Sequence, residues 1–354
     1  MSARAAQEAR RAAAVREVAR VRRARRTRYG TVCAVLVAGV AAALCGSLAF
    51  GDVPVPFPDV LAALTGRADP ATWFVVGEMR LPRALTGLLT GLALGLSGAV
   101  FQSLLRNPLA SPDVIGISAG ASAAAVLSSS LLAAGGLLLS GFALAGALLT
   151  AVLIYALAWR RGVTGARLVL VGVGVAAGLT SLISYLMTRS ATTEAQEALV
   201  WLAGSLNGRS WPHLWPLAGA VAVLLGLLLP AARRVPVLQL GDDTAAGLGV
   251  GVERARLQLL ACAVALAGVA TAAAGPVGFV AFVSAPVARG LVPGRGAALF
   301  PAGCVGALLV LVADFAGQHL LGPAQLPVGV VTSVIGAPYL LWLLARTNRV
   351  GRGG

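Results

Sequence analysis

The stretch RLPRALTGLLTGLALGLSGAVFQSLLRNPLASPDVIGISAGAS, residues 80–122, decides the fold. Arg80 and Arg83 open an apolar run, glycines recur along it, and the polar turn RNPLASP closes it. Residues 84–105 carry no charge, and at 1.5 Å per residue such a helix crosses a hydrocarbon layer ~30 Å thick. A plain membrane anchor needs neither arginines at one mouth nor a proline-rich turn at the other. Gly87, Gly91, Gly95 and Gly98 fall at helical spacing, and the next apolar run carries Gly116 and Gly120. Lipid tails do not drive apolar helices together, so close backbone approach must do it. Both runs are therefore expected to be buried, central helices.

Outward from this stretch, apolar runs recur over the whole chain. The spans read as 31–50, 84–105, 114–132, 137–159, 168–188 and 212–232. Residues 257–288 divide at the AGP of 274–276 into a full span and a short one, and 296–316 and 327–345 follow, parted by GPAQLP at 322–327. The total is ten. The 354 residues are 58% apolar and 12% charged, with mean hydropathy +0.86, whereas soluble domains carry roughly a quarter charged residues. A transmembrane barrel would show alternating segments of ~10 residues instead. The fold class is all-α, polytopic and membrane-spanning.

All 28 basic residues are arginine. A Walker A phosphate loop needs a lysine, so this chain is no P-loop ATPase by itself. Ten arginines precede residue 29, mixed with alanine. Residues 1–30 read as a basic cytoplasmic segment that fixes the first span and meets anionic lipid; nothing in it stacks bases, so nucleic acid is not an expected partner. The first span has no A-x-A cleavage site and is expected to stay uncleaved. With ten spans both termini share one side. Taken as inside, that side holds 23 arginines, against five outside: Arg67, Arg80, Arg83, Arg189 and Arg209. This asymmetry supports the count and the orientation. Residues 31–346 form one membrane domain, and 347–354 a short cytoplasmic tail.

No reaction centre or metal-ligand cluster is legible. Cys33, Cys45, Cys262 and Cys304 lie in apolar runs and read as small core residues. His213 and His319 are isolated near outer span ends. Asp314 is the one acid within a span, a functional suspect by default, and is expected close enough to the outer mouth for water to reach it. LQLGDDTAAGLGVGVERAR, residues 238–256, reads as a short helix, a glycine stop and a second short helix on the inside. Asp242 and Asp243 are expected to cap the first helix, while Gly247 and Gly249 permit a reversal. It reads as a docking element rather than a slack linker.

Several long motifs now stand in order: RLPR…GLALGLSGAVFQ…RNPLASPDVIGISAGAS, LGDDTAAGLGV, AGPVGFVAF, GALLVLVAD and LPVGVVTSVIGAPYLLWLLAR. From about residue 31 to 346 the chain resembles the FecCD-type permeases of ABC importers for iron-siderophore complexes, haem and vitamin B12. The resemblance implies a type II importer permease in a bacterial plasma membrane, with both termini cytoplasmic. It pairs with a second permease subunit, identical or related, and with two ATPase subunits, and an extracytoplasmic substrate-binding protein delivers the cargo. The permease is not an enzyme and binds no cofactor, ATP being used by its partner. Arg80 and Arg83 match arginines that meet glutamates of the binding protein, and Gln318 stands where some members have a third. Asn107 and Leu109 match an inner gate, and Gly165 and Ala166 a second constriction. Gly241, Asp242, Asp243, Ala246, Leu248 and Gly249 match the loop that docks into the ATPase. Ala285, Pro286, Arg295 and Gly296 depart from the family pattern. A ferric siderophore is the implied cargo, with vitamin B12 or haem as alternatives. From the residues themselves, an ion-coupled secondary transporter or a structural scaffold also remains open.

Overall fold

In lipid every backbone polar group must find an internal partner, so apolar runs of this length become helices. The computed structural model describes residues 3–51, 53–159, 165–294, 296–320 and 325–350, and the side chains of these except 3–12, 194, 344 and 346–350. Arg160, Arg161, Arg295, the GPA of GPAQLP and residues 351–354 lie outside the described residues. The regular structure described is all helical: α1 Ala3–Ala49, α2 Phe57–Leu64, α3 Pro70–Trp73, a π-helical stretch Phe74–Arg80, α4 Leu81–Leu105, α5 Ile117–Leu132, α6 Gly136–Ala158, α7 Gly165–Arg189, α8 Thr192–Leu202, α9 Trp211–Ala232, α10 Val235–Leu238, α11 Asp242–Gly247, α12 Val252–Ala274, α13 Val280–Leu291, α14 Leu299–His319 and α15 Val328–Val350. Seven helices are long and apolar enough to cross a membrane, and α5, α13 and the apolar part of α15 are shorter ones. Together they occupy the ten expected spans. α1 passes residue 30, and α15 passes residue 346, without a break.

The arginine pair does not open a helix, as the sequence suggested. Asp69 caps α3 by accepting the Thr72 N–H at 3.0 Å, which holds its carboxyl below the ordinary range. From Pro70 to Leu105 the chain is then one helical rod. Pro82 lacks the N–H that an α-ladder requires. The rod passes it by widening to π geometry, with the Leu81 N–H returning to the Val76 carbonyl. At the far end Arg106 turns left-handed (φ 49), and Pro108 prevents continuation.

α4 is the central helix, packed on α14, α12, α13 and α9. Its glycines are the reason. A Cβ on Gly91 would fall on the Gly306 carbonyl of α14, one on Gly95 on the Ala302 carbonyl, and one on Gly98 on the Ala281 carbonyl of α13. Gly120 of α5 meets Gly146 and Thr150 of α6 in the same way. α5 is buried along only half its length. α12 and α14, whose central place the glycine pattern did not announce, are mostly buried.

The AGP break lies where backbone groups must still be satisfied. The Ser205 N–H donates to the Ala274 carbonyl at 2.8 Å, and the Gly329 N–H to that of Gly204 at 3.0 Å. The segment after α8 thus plugs the gap between α12 and α13.

Gly98→Ala forces α4 and α13 apart and is expected to destabilise the fold by about 1–3 kcal/mol, the usual cost of overpacking. Gly226→Ala in α9, where a Cβ meets nothing, is expected to leave melting unchanged or slightly raised. Thermal unfolding in detergent, followed by size-exclusion profile, checks the contrast. Equal melting of the two variants would refute the packing argument.

Candidate docking and gating sites

The two ends of the bundle differ in charge. At the arginine-poor end, Arg80 caps α1: its Nη1 donates to the Leu48 carbonyl at 2.8 Å and that of Ala49 at 3.3 Å, and its Nη2 to that of Val53 at 2.6 Å. The last carbonyls of a helix lack internal partners, and one guanidinium here serves two of them together with the Val53 carbonyl of the following loop. Arg83, one turn on, grips Asp314 of α14 with both forks: Nε to Oδ2 at 3.0 Å and Nη2 to Oδ1 at 2.9 Å. Gln318 Nε2 donates to the same carboxylate at 2.8 Å.

Asp314 therefore differs from its expected setting. Its side chain is only 6% exposed and that of Arg83 16%, so the acid is closed off from water and held by a bidentate ion pair. Glycine contacts bring α4 and α14 close enough for this pairing. The structure gathers Arg80, Arg83 and Gln318 at one end of the bundle, each half-buried and already bonded inside the chain. Behind them lie two cavities of about 590 and 480 Å³. Arg83, Asn207, Arg209 and Gln325 line both.

At the arginine-rich end, Asn107 accepts the Leu109 N–H on its side-chain oxygen at 2.9 Å, fixing a tight turn directly after α4. Asn107 is exposed and Leu109 half-buried. Gly165, in the first turn of α7, packs against Leu105: a Cβ there would stand 3.1 Å from the leucine Cδ2. The Asn107–Leu109 turn and the first turn of α7 therefore both lie at the end of α4; Ala166 beside Gly165 is exposed.

The 238–256 segment holds the short helix α11 and then the opening of α12, with α10 ending at its first residue, Leu238. Its second helix is thus the foot of a span. Gly241 is the N-cap of α11, and neither Asp242 nor Asp243 caps it by side chain. Asp242 instead accepts Arg256 Nη2 at 2.9 and 3.2 Å, which ties α11 to α12. Gly249 supplies the reversal at φ 80, whereas Gly247 is helical. Ala245 is the buried anchor, and Asp242, Asp243, Ala246 and Leu248 are exposed. The element is thus ordered and tethered to α12, with Leu248 exposed on it.

Three residues escaped the sequence reading. Arg106 donates to the Leu238 carbonyl at 2.9 Å, joining the turn after α4 to the end of α10. Asp113 accepts the Ser118 hydroxyl on one oxygen, leaving the other without a partner. Burial pushes its carboxyl above the ordinary value, and the serine bond pulls it partly back. Arg209 stands between the two cavities. No periodicity marks these residues, because each acts through a loop.

The model of the FecCD transport family matches residues 29–346. The chain is 42% identical over 317 residues to the ferric enterobactin transport system permease protein FepG of Escherichia coli (strain K12), covering 90% of this chain and 96% of that one. It is 39% identical to the iron(3+)-hydroxamate import system permease protein FhuG of Bacillus subtilis (strain 168), covering 85% and 93%. Among solved structures, an inward-facing metal-chelate type ABC transporter superposes with TM-score 0.80 at 26% identity, covering 90% of this chain and 99% of that one.

Asp314→Asn leaves Arg83 charged, largely buried and unpaired, and is expected to cost about 3 kcal/mol, the low end for breaking a buried pair. Replacing both partners, Arg83→Met with Asp314→Leu, is expected to recover most of that loss. A double-mutant cycle on unfolding in detergent measures it, and a fully stable Asp314→Asn protein would contradict the pairing's structural role.

Proposed function

The chain belongs to the FecCD transport family, and from that premise we propose that it conducts ferric siderophores into a bacterial cell. It is a multi-pass permease subunit of an ABC importer and not an enzyme; the ATPase is a separate subunit. Residues 31–346 form the permease domain, with 1–30 and 347–354 on the cytoplasmic side together with the docking element. The iron-chelate permeases among its relatives favour a siderophore over vitamin B12 or haem as cargo.

The observation that carries the coupling mechanism is the ordered element at 242–249, exposing Leu248 and following Leu238 of α10, whose carbonyl Arg106 ties to the end of α4. It offers an ATPase a small apolar knob on a rigid base. Closure of the ATPase pair around ATP moves α11. The Leu238 carbonyl passes that movement through Arg106 to the turn at Asn107 and Leu109, next to Leu105, against which Gly165 packs. Only contacts that differ between the two states drive such a change, and the Arg106 bond joins the two parts that must move together. At the opposite end Arg80, Arg83 and Gln318 receive the binding protein. Exposed ion pairs are worth only ~0.2–1 kcal/mol, so their contribution is register and encounter rate.

Leu248→Asp places a charge in the ATPase contact and is expected to lower ATP-dependent uptake of a ferric siderophore in vesicles about tenfold or more, as loss of a central contact of ~2 kcal/mol does. Arg106→Ala in the same vesicles is expected to keep ATP hydrolysis while uptake per ATP falls. Unchanged uptake by Leu248→Asp would count against docking there.

Arg80→Gln keeps a donor for the α1 carbonyls but removes the charge. Its association with the binding protein is expected to slow severalfold at low salt and little at high salt. An equal loss at both would contradict steering.

A further inference from the structure

The outward arginines differ in how their charge is met. Arg80 has three carbonyl acceptors and Arg83 a bidentate carboxylate. Arg189 lies over the Tyr185 ring, 5.4 Å from its centroid. Arg209 has none of these. Its Nε is buried without an acceptor, and among the described residues no acid lies within ion-pair distance of it. Burial pushes its guanidinium below the ordinary value. A guanidinium carries five donors and no acceptor, and a buried donor left unmet is costly. The site is nevertheless built rather than frayed. Gly204 and Gly208 hold the loop in left-handed turns (φ 67 and 69), and Leu206 anchors it at 1% exposure.

Arg209 lines both outer cavities, with Asn207 and Gln325 beside it. Their volumes of about 590 and 480 Å³ fall within the ~300–1,000 Å³ of small-molecule sites. Glu197 lines the larger cavity and Glu78 the smaller. Asp314, the buried acid of this corner, is already taken by Arg83. Among the described residues the vestibule thus holds one arginine, Arg209, with no acceptor for its fork.

We propose that Arg209, with Asn207 and Gln325, is a cargo-contacting subsite that binds the anionic oxygens of a ferric chelate as it passes through the outer vestibule. This rests on the import reading above and narrows it to chelates of net negative charge, such as tris-catecholates and citrates. A carboxylate or catecholate edge accepts the guanidinium fork with two parallel bonds, and the neighbouring amides supply further donors. A neutral trihydroxamate offers the same iron without that charge.

The test uses the permease–ATPase complex in lipid nanodiscs and equilibrium dialysis of two radiolabelled chelates, a ferric tris-catecholate and a ferric trihydroxamate. Arg209→Gln is expected to raise the Kd of the tris-catecholate about tenfold or more, the worth of a charge-assisted bond, and that of the trihydroxamate little. Arg209→Lys, which keeps the charge without the fork, is expected to fall between. Should Arg209→Gln not fold, a salt series on the unaltered complex serves: tris-catecholate binding weakens with salt and trihydroxamate binding does not. Equal effects on both chelates, or none, overturn the subsite. So does a loss confined to association of the ligand-free binding protein, which makes Arg209 a docking contact. If the unaltered complex binds neither chelate yet the complete importer takes one up, the subsite falls and the import reading stands. Absence of any siderophore uptake by the complete importer removes both.

Discussion

The contact of α4 with the carbonyls of α13 and α14 governs this structure. At Gly91, Gly95 and Gly98 helix backbones touch with no side chain between them. Inside lipid that closeness replaces the hydrophobic drive that folds soluble bundles. It also fixes where polar groups fall. Arg83 reaches Asp314 because α4 and α14 are this close, and Gln102 Nε2 reaches the Phe282 carbonyl at 3.0 Å because α13 is. Ser97 likewise donates to the Ala263 carbonyl of α12 at 2.6 Å. Ser97, Gln102 and Asp314 are thus satisfied by neighbours that the glycines admit, whereas the buried Thr90 and Ser103 hydroxyls of α4 have no acceptor among the described residues.

The same logic separates what the sequence made legible from what it did not. Span positions followed from charge-free length, and the glycine run announced α4 as central. The short span α13 followed from the AGP break. The start of the second span did not follow, because Pro82 reads as a helix opening unless the ladder is allowed to widen before it. The setting of Asp314 was misjudged for a different reason. Distance from a span end estimates depth in the membrane, but burial depends on a partner 231 residues away in sequence. Arg106 and Arg209 act through loops whose shape is set by packing, so spacing gave no sign of them. Asp242 was misread because a first-turn acid and an N-cap look alike in sequence, and only the conformation of Gly241 tells them apart.

Arginine is used here in several physically distinct ways. Arg80 completes a helix end and Arg83 offsets a buried acid. Arg106 spans two elements at the arginine-rich end, where the sequence also places its N-terminal arginine series. A planar fork that cannot lose its proton suits each structural role, whereas a lysine would bring a single charge centre and a tunable pKa. The absence of lysine from the chain and the density of fork-to-carbonyl bonds in the fold agree with each other.

The tight central packing decides where movement is possible. Backbone-to-backbone contacts cannot yield by rotamer changes, since neither surface has a side chain to turn at the point of touch. An alternating permease must therefore change shape where contacts are polar, short and replaceable. α4 has such contacts at both ends: π geometry and arginine bonds at one, a left-handed residue and a proline turn at the other. Its middle behaves as a rigid shaft fixed to α14 and α13. The element packed less closely around its inner end, α7 with Gly165, is then the part free to move against it. In that arrangement the gates need no hinge inside a span. They need only exchange one set of terminal hydrogen bonds for another, and such exchanges involve a few kcal/mol, comparable with the differential affinity that a ligand or partner supplies.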